Sequence, residues 1–531
     1  MMDKSANGVL SGVTTEVLSA LRAIVGAEHV TEGQAALALS HDIFTTKETP
    51  LAVVAPDTVE ELQAVIRESG KRGLAVYPRG GGASYTGGYL VGTQFSILLD
   101  LRRLNRIVEL NKVDAYVTVE AGVTWAQLKT ELDSHGLRTP FRGPFSGVVA
   151  TVGGSVAQHA VSHGTGQYGG AASSVLSLDV VTGTGELLRT GSAALGGSPF
   201  NRYAGPDVTG LFTGDCGAFG IKARITLPLL EAHSAFAGAS FAFESFDRMH
   251  SGMQSAASIG VDDTNFAFDA SMLRGQLKRK RTLADTLAIA RRVFSTSPSW
   301  FAGARQLLRM GLAGERSMSS APFVAHYIVE GPSKQAVNLD MQRLRDAMDG
   351  HGREIVNSVP AIVRSDPFSR MFHVVGPKGE RWVPVHGYIP NSRTKDFHRA
   401  YEEWLDLEAE NFAKHGVWTG LMFQAIGRGA FLYEIGIYWK DALSPYHDAV
   451  VPKKVTDKNP PGSENLAART YVASMRRQLI AIYQAHGSTH FQIGRTYPYG
   501  QILDERMRDG LVAFREALDP QGVINASVLG L

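Results

Sequence analysis

Tyr77-Pro-Arg-Gly-Gly-Gly-Ala-Ser-Tyr-Thr-Gly-Gly-Tyr89 decides the reading of this chain. The stretch follows a short apolar run, Leu74-Ala-Val-Tyr77, and sets five glycines into nine positions from Gly80 to Gly88. Glycine tolerates φ > 0 and lets the backbone approach a ligand, so successive N–H groups can converge on an anion. A second stretch of the same character, Pro144-Phe-Ser-Gly-Val-Val-Ala-Thr-Val-Gly-Gly-Ser155, runs on into His163-Gly-Thr-Gly-Gln-Tyr-Gly-Gly170. One such loop is equally well read as a turn between strands. Two of them, about seventy residues apart, point to a dinucleotide diphosphate held from two sides.

At 531 residues the chain exceeds a single core, so two domains are expected. Hydrophobic residues at 44% and charged residues at 20% describe an ordinary globular protein. A net charge of +2 gives no electrostatic case for nucleic acid or an anionic membrane. The basic cluster Lys278-Arg-Lys-Arg281 reads as a solvated helix face. The single cysteine, Cys216, rules out an intrachain disulfide and fits a reducing compartment. It is read as a small residue filling a tight turn. The N-terminus lacks a signal-peptide pattern, and no run of about eighteen apolar residues occurs. A cytoplasmic protein without a membrane span is expected.

Around the loops, periodicity sorts the elements. Residues 13 to 26 and Thr58 to Ser69 carry helical spacing, the latter with Thr58 as N-cap and Glu60 and Glu61 in its first turn. Short β-branched runs alternate with turns from Leu51 to Pro228, and those at Ala115–Glu120 and Ile221–Leu227 alternate like half-buried strands. From about residue 231 the glycine motifs stop. Longer helical patterns follow at Thr282–Phe294 and Phe397–Lys414, Asp457–Ser463 reads as an exposed loop, and a last helix is expected at about Asp504–Leu518. The fold class is α+β. Residues 1–230 are expected to bind the dinucleotide, 231–500 to form an α+β substrate cap with an antiparallel sheet, and 501–531 to return as a tail to the first domain.

Taken in order, these segments resemble the vanillyl alcohol oxidase/p-cresol methylhydroxylase (PCMH) flavoprotein superfamily. Pro78–Gly88 is similar to its first FAD-pyrophosphate loop and Thr151-Val-Gly-Gly-Ser155 to its second. Val180-Val-Thr-Gly-Thr-Gly-Glu186 resembles the strand pair that follows, Gly214-Asp-Cys-Gly-Ala-Phe-Gly-Ile221 the closing element, and Leu518-Asp-Pro-Gln-Gly-Val-Ile-Asn525 the tail. The resemblance implies FAD as cofactor in a two-subdomain PCMH-type FAD-binding domain. The implied contacts are Arg79, Gly80, Gly81, Gly82, Ala83, Ser84 and Thr86 in the first loop, Pro144, Thr151, Gly153, Gly154 and Ser155 in the second, then Gly164, Gly169, Gly170 and Ile221. The fragment Gly164-Thr-Gly-Gln-Tyr-Gly169 matches a nicotinamide fingerprint literally, but it lacks the strand before and the helix after, so it is assigned to FAD.

Departures from the family pattern carry information of their own. Family members often tether FAD through a histidine, but the two tether positions read Ala83 and Phe431 or Leu432, so non-covalent FAD is expected. The D-2-hydroxyacid dehydrogenase branch carries a zinc motif in its cap, and the comparable segment Phe423–Glu434 contains no histidine. No metal is expected, at His159 and His163 either, because their i, i+4 spacing sits among glycines. Trp382–Arg393 resembles a cap strand of the phenol-oxidising branch. That branch implies Tyr85 and Arg495 as holders of a substrate oxyanion, with Tyr499 in support where Gly494 replaces a second tyrosine, and Gln158 near its active-site aspartate. His386 or His159 is the candidate base.

The expected reaction is hydride transfer from an alcohol carbon to flavin N5, with an aromatic or phenolic alcohol favoured. Two alternatives stay open: a D-2-hydroxyacid dehydrogenase with Arg393 or Arg495 clamping a carboxylate, and a flavin-binding module without hydride transfer. The resemblance implies that Ala121 stands at the position that gates oxygen, and alanine there favours a dehydrogenase over an oxidase. The partners are then a small-molecule substrate and an electron acceptor that is unknown, with a homodimer left open.

Overall fold

The computed structural model describes residues 4–277, 321–356, 359–368 and 374–531. The basic cluster Lys278–Arg281 and the helix expected at Thr282–Phe294 lie outside the described residues. In the N-terminal half, the helix Val59–Arg72 shows how local chemistry sets an element. Thr58 Oγ1 accepts from the Glu61 N–H at 3.1 Å, acidic residues fill the first turn, Lys71 and Arg72 the last, and Gly73 closes it at φ 63°. The chain then enters the strand Ala75–Arg79. This strand is parallel to Ser96–Asp100, which is parallel in turn to Ala52–Val54, with Val30–Thr31 at the far edge. The first glycine loop leaves the carboxyl end of Ala75–Arg79, where open parallel sheets bind ligands.

A second sheet of five antiparallel strands runs in the order Ile107–Asn111, Tyr116–Glu120, Ile221–Pro228, Ser177–Val181, Leu187–Arg189. The alternation in Tyr116–Glu120 predicts one wet face, yet every residue of the strand is buried. Its polar members are paired under cover. Thr118 and Thr226 share a hydrogen bond of 2.9 Å, and Glu120 takes both the backbone and the guanidinium of Arg106. At the chain end the Val76 N–H donates to Val523 O and the Asn525 N–H to Val76 O, both at 2.8 Å. The C-terminal residues thereby lie against the strand that launches the glycine loop.

Beyond residue 231 the dominant element is a seven-stranded antiparallel sheet. Its order is Arg353–Ile355, Ala235–Phe243, Phe323–Gly331, Thr264–Asp269, Val417–Ile426, Ala430–Trp439, Arg381–Pro390. One face packs under the helices Phe246–Ile259, Lys334–Met348, Asn391–His415 and Leu466–Ala485. Along Ala430–Trp439 the residues Phe431, Tyr433, Ile435, Ile437 and Trp439 all face this core. Each such buried side chain contributes about 1.5–3 kcal/mol, and a slip of one residue would turn the whole set outward. The register therefore fixes Leu432 and Glu434 on the opposite face, toward the glycine loops. Buried ion pairs hold that face in place: Asp263 receives Arg138 at 2.7 Å and Arg142, and Glu330 receives Arg142 at 3.2 Å and Arg364. The expected loop at Asp457–Ser463 starts later than its Pro/Gly content predicts. Asp457 and Lys458 end the short helix Lys453–Lys458, where Lys453 Nζ meets Asp457 Oδ1 at 2.7 Å.

Candidate functional site

The first glycine loop is built as a cradle. Among the described residues, the backbone N–H groups of Gly81, Gly82, Ala83, Ser84 and Tyr85 have no protein acceptor. Beneath them lies the Arg79 guanidinium, 4% exposed, which donates to Gly80 O at 3.1 Å and sits 3.9 Å from Asp100. Gly82 adopts φ 71°, and a side chain on Gly81 would overlap the Val149 carbonyl oxygen. Free donors over a buried cation are the donor set a diphosphate needs, and FAD fits this loop.

The second loop differs from the expectation of a matching grip. Its first-turn donors are spent inside the protein: Val152 N–H on Val123 O at 2.8 Å, Gly153 N–H on Ala121 O at 3.0 Å, and Gly154 N–H on the N-cap oxygen of Thr151 at 3.2 Å. Gly153 is required for its contact with Ala121, whose Cβ would lie 2.6 Å from an added methyl, and Ser155 Oγ accepts from buried Trp125 Nε1 at 2.8 Å. Gly80 backs directly onto Thr151 and Gly154, so this loop forms the wall behind the cradle. Pro144, Gly164, Gly169, Gly170 and Ile221 extend the wall: Pro144 O closes a turn with Gly147, Gly164 donates to Asp263 O at 3.1 Å, Gly170 packs on the His159 ring, and Ile221 pairs with Val181. Thr165–Tyr168 forms one helical turn, which the glycines around it do not predict.

Between the first loop and the free face of the seven-stranded sheet lies a cavity of about 50 Å³. Tyr85, Phe145, Val161, Ser162, Thr264, Asn265, Phe266, Met422, Gln424, Leu432, Glu434, Phe491 and Gln492 line it. Tyr85 is the one expected catalytic residue on its wall. Its phenol bonds the Gln492 side chain, and Trp382 and His386 meet its ring edge-on at 5.7 and 5.6 Å. Burial, and then the nearby Glu434, push the phenol pKa well above its ordinary value.

The other expected catalytic residues are placed differently. Arg495 gives Nη1 to Gly87 O and Gly88 O at 2.8 and 3.2 Å and Nη2 to Asn525 Oδ1 and Ala526 O at 2.8 and 2.7 Å. Both terminal nitrogens of its guanidinium tie the loop to the C-terminal residues, while Nε has no partner among the described residues. Tyr499, half-buried, packs on the core of the N-terminal half. Gln158 faces Gly88 and accepts from Cys216 Sγ. His159 Nδ1 accepts the Ala172 N–H at 3.3 Å, and His163 Nε2 meets Pro367 O at 2.9 Å, so the two imidazoles do not converge on a metal. Among the described residues no metal-binding group of side chains forms. Arg393 is exposed on the helix Asn391–His415. His386 is fully buried behind Tyr85 and stacked on Phe491 at 4.1 Å, and burial first, then His490 and Arg476, hold its pKa well below the ordinary value. It is neutral and poorly placed to act as the base. Gly494 has no side chain because one would overlap Thr86 O, and Cys216 occupies its turn at φ 53° with Sγ accepting the Gly494 N–H.

Two residues that matter here were not singled out from the sequence. Glu434 lies opposite His386 and Met422 in the two strand ladders, and burial alone raises its carboxyl to about 7. The signal was present: it is the only charged residue in Ala430–Trp439. Arg476, from the helix Leu466–Ala485, donates to Tyr85 O at 3.1 Å and lies over the Phe44 ring at 4.6 Å. It holds the backbone of the loop from behind.

Residues 50–191 match the family model of an FAD binding domain. The chain carries an FAD binding domain. Its overall fold is that of p-cresol methylhydroxylase, with a TM-score of 0.72, 16% identity, and coverage of 98% of this chain and 97% of that one. A 4-ethylphenol oxidase from Gulosibacter chungangensis superposes with a TM-score of 0.69 at 18% identity, covering 98% and 97%. Among curated relatives, the D-2-hydroxyglutarate dehydrogenase of Xanthomonas citri pv. viticola is 35% identical over 182 residues, 34% of this chain and 37% of that protein. The match therefore spans little more than a third of that relative's length. FAD is the cofactor of this domain, and the donors of Gly81–Tyr85 are where its diphosphate fits.

Proposed function

We propose that the protein is an FAD-dependent oxidoreductase that oxidises an alcohol carbon of an uncharged aromatic substrate. The observation that carries this reading is Glu434, a carboxyl near 7 on the wall of an aromatic cavity, beside Tyr85 and next to the FAD cradle. FAD, when bound, supplies the hydride acceptor. Tyr85 and Gln492 orient the substrate hydroxyl, and Glu434 accepts its proton as the carbon–hydrogen bond breaks. A base whose pKa lies near working pH contributes about 10²–10⁴ in rate. Phe145, Phe266 and Phe491 give a ring its apolar seat. Anaerobic bleaching of the flavin absorbance by a benzylic alcohol tests the reading, and a flavin left oxidised by every alcohol in a panel would overturn it.

The flavin is held without a covalent bond, since the positions where the family resemblance implies a tethering histidine read Ala83 and Phe431 or Leu432. Acid precipitation is expected to leave a colourless pellet and a yellow supernatant; fluorescence on the denatured chain would contradict this. A dehydrogenase is favoured over an oxidase, since Ala121 packs its methyl against Gly153 beside the loop. The second reading, a D-2-hydroxyacid dehydrogenase, draws on the similarity to D-2-hydroxyglutarate dehydrogenase.

A further inference from the structure

Among the described residues, Glu434 and Tyr85 are the only ionisable side chains on the cavity wall, and neither can carry a positive charge. The cations nearby are committed elsewhere. Arg476 serves the Tyr85 carbonyl and Thr496 Oγ1, Arg142 serves Asp263 and Glu330, and Arg495 serves the loop and the C-terminal residues. Binding sites for carboxylates normally present a guanidinium or ammonium to the anion. This one presents a carboxyl, and aromatic rings whose faces are electron-rich.

We propose that Glu434 determines specificity by charge: its carboxylate turns away substrates bearing a carboxylate next to the oxidised carbon and admits uncharged or cationic ones. The groups around it do not offset that charge. Tyr85 faces it from the first loop, Met422 from one neighbouring strand and His386 from the other. Tyr483 and Tyr497 both have their phenols pushed up in part by it. His386 is neutral, with neither ring nitrogen hydrogen-bonded, so it brings no cation to the site. With its carboxyl near 7, Glu434 switches this filter on between pH 6 and pH 8. Below that range the protonated acid tolerates an anion; above it the carboxylate does not.

The inference rests on the cavity being the substrate site, as in the proposed function, but binding reads it out and turnover does not. The FAD-loaded protein is titrated with benzoate, an anion throughout this range, and with benzylamine, a cation throughout, by calorimetry and by perturbation of the flavin spectrum. Benzoate affinity is expected to fall about tenfold from pH 6 to pH 8, following the protonated fraction of one group, while benzylamine affinity rises. Glu434→Gln is expected to remove both trends. Should that variant fail to fold, the opposite trends of the two probes on the wild-type protein decide the matter alone. Benzoate binding that is equal at pH 6 and pH 8, or a pH trend that survives in Glu434→Gln, overturns the proposal. A protein that shows both trends but is reduced by no alcohol keeps this charge filter and loses the proposed reaction.

Discussion

Glu434→Gln is expected to slow anaerobic reduction of the flavin by a benzylic alcohol by about two to three orders of magnitude, the range that loss of a general base produces. In the wild-type protein the rate should rise with pH through about 7, as burial places the carboxyl there and only the ionised form accepts a proton. The variant should show no such limb. Stability should move the other way. An acid whose folded pKa is raised loses stability as pH climbs from its ordinary value near 4.5 to about 7, because the folded protein keeps a proton that the unfolded chain has released. At pH 8 the glutamine variant should therefore melt at or above the wild-type temperature and retain its FAD. Stopped-flow absorbance beside a melting curve separates the two effects. Reduction at the wild-type rate would remove Glu434 from the chemistry.

The second large effect is expected at Arg495, and it is one of stability. Its fork ties Gly87 O and Gly88 O in the first loop to Asn525 Oδ1 and Ala526 O near the chain end, and its own N–H donates to Thr86 O at 2.8 Å. Arg495→Met leaves these acceptors in place without their charged donor. Removing one partner of such a buried network costs about 3–5 kcal/mol. The variant should unfold at distinctly lower denaturant and lose FAD on gel filtration, since the same segment carries the cradle. Arg495→Lys should recover only part of this, as one ammonium cannot reach both sides of the fork's span. Wild-type stability and FAD content with slowed reduction would instead return Arg495 to the substrate.

The difference between these two residues shows what the sequence could disclose. The glycine loops, the strand that launches the first of them and the helix capped by Thr58 all follow from local chemistry: positive φ, close backbone approach, a side-chain acceptor at an N-cap. Arg495 was drawn toward the substrate by its polar-aromatic neighbourhood and its likeness to the phenol-oxidising pattern. Its partners, though, are the Gly87 and Gly88 carbonyls some four hundred residues away together with Asn525 and Ala526 near the chain end, and no local pattern encodes them. His386 titrates near neutrality in solution, but full burial among aromatic rings holds it neutral. Glu434 was legible as a lone charge in an apolar strand. Its role depended on which face it took, and the register of seven strands settled that. The second glycine loop matched the family pattern in sequence, while the acceptors that use up its donors, Val123 O and Ala121 O, come from a separate segment.

The proposed reaction takes uncharged aromatic alcohols and not hydroxy carboxylates. The most direct test is a stopped-flow comparison under anaerobic conditions at pH 8, with 4-hydroxybenzyl alcohol against D-lactate and D-2-hydroxyglutarate. The expected result is rapid bleaching of the flavin by the alcohol and, at equal concentration, reduction by either hydroxy acid at least about a hundredfold slower. Faster reduction by D-lactate or D-2-hydroxyglutarate than by the alcohol would contradict it.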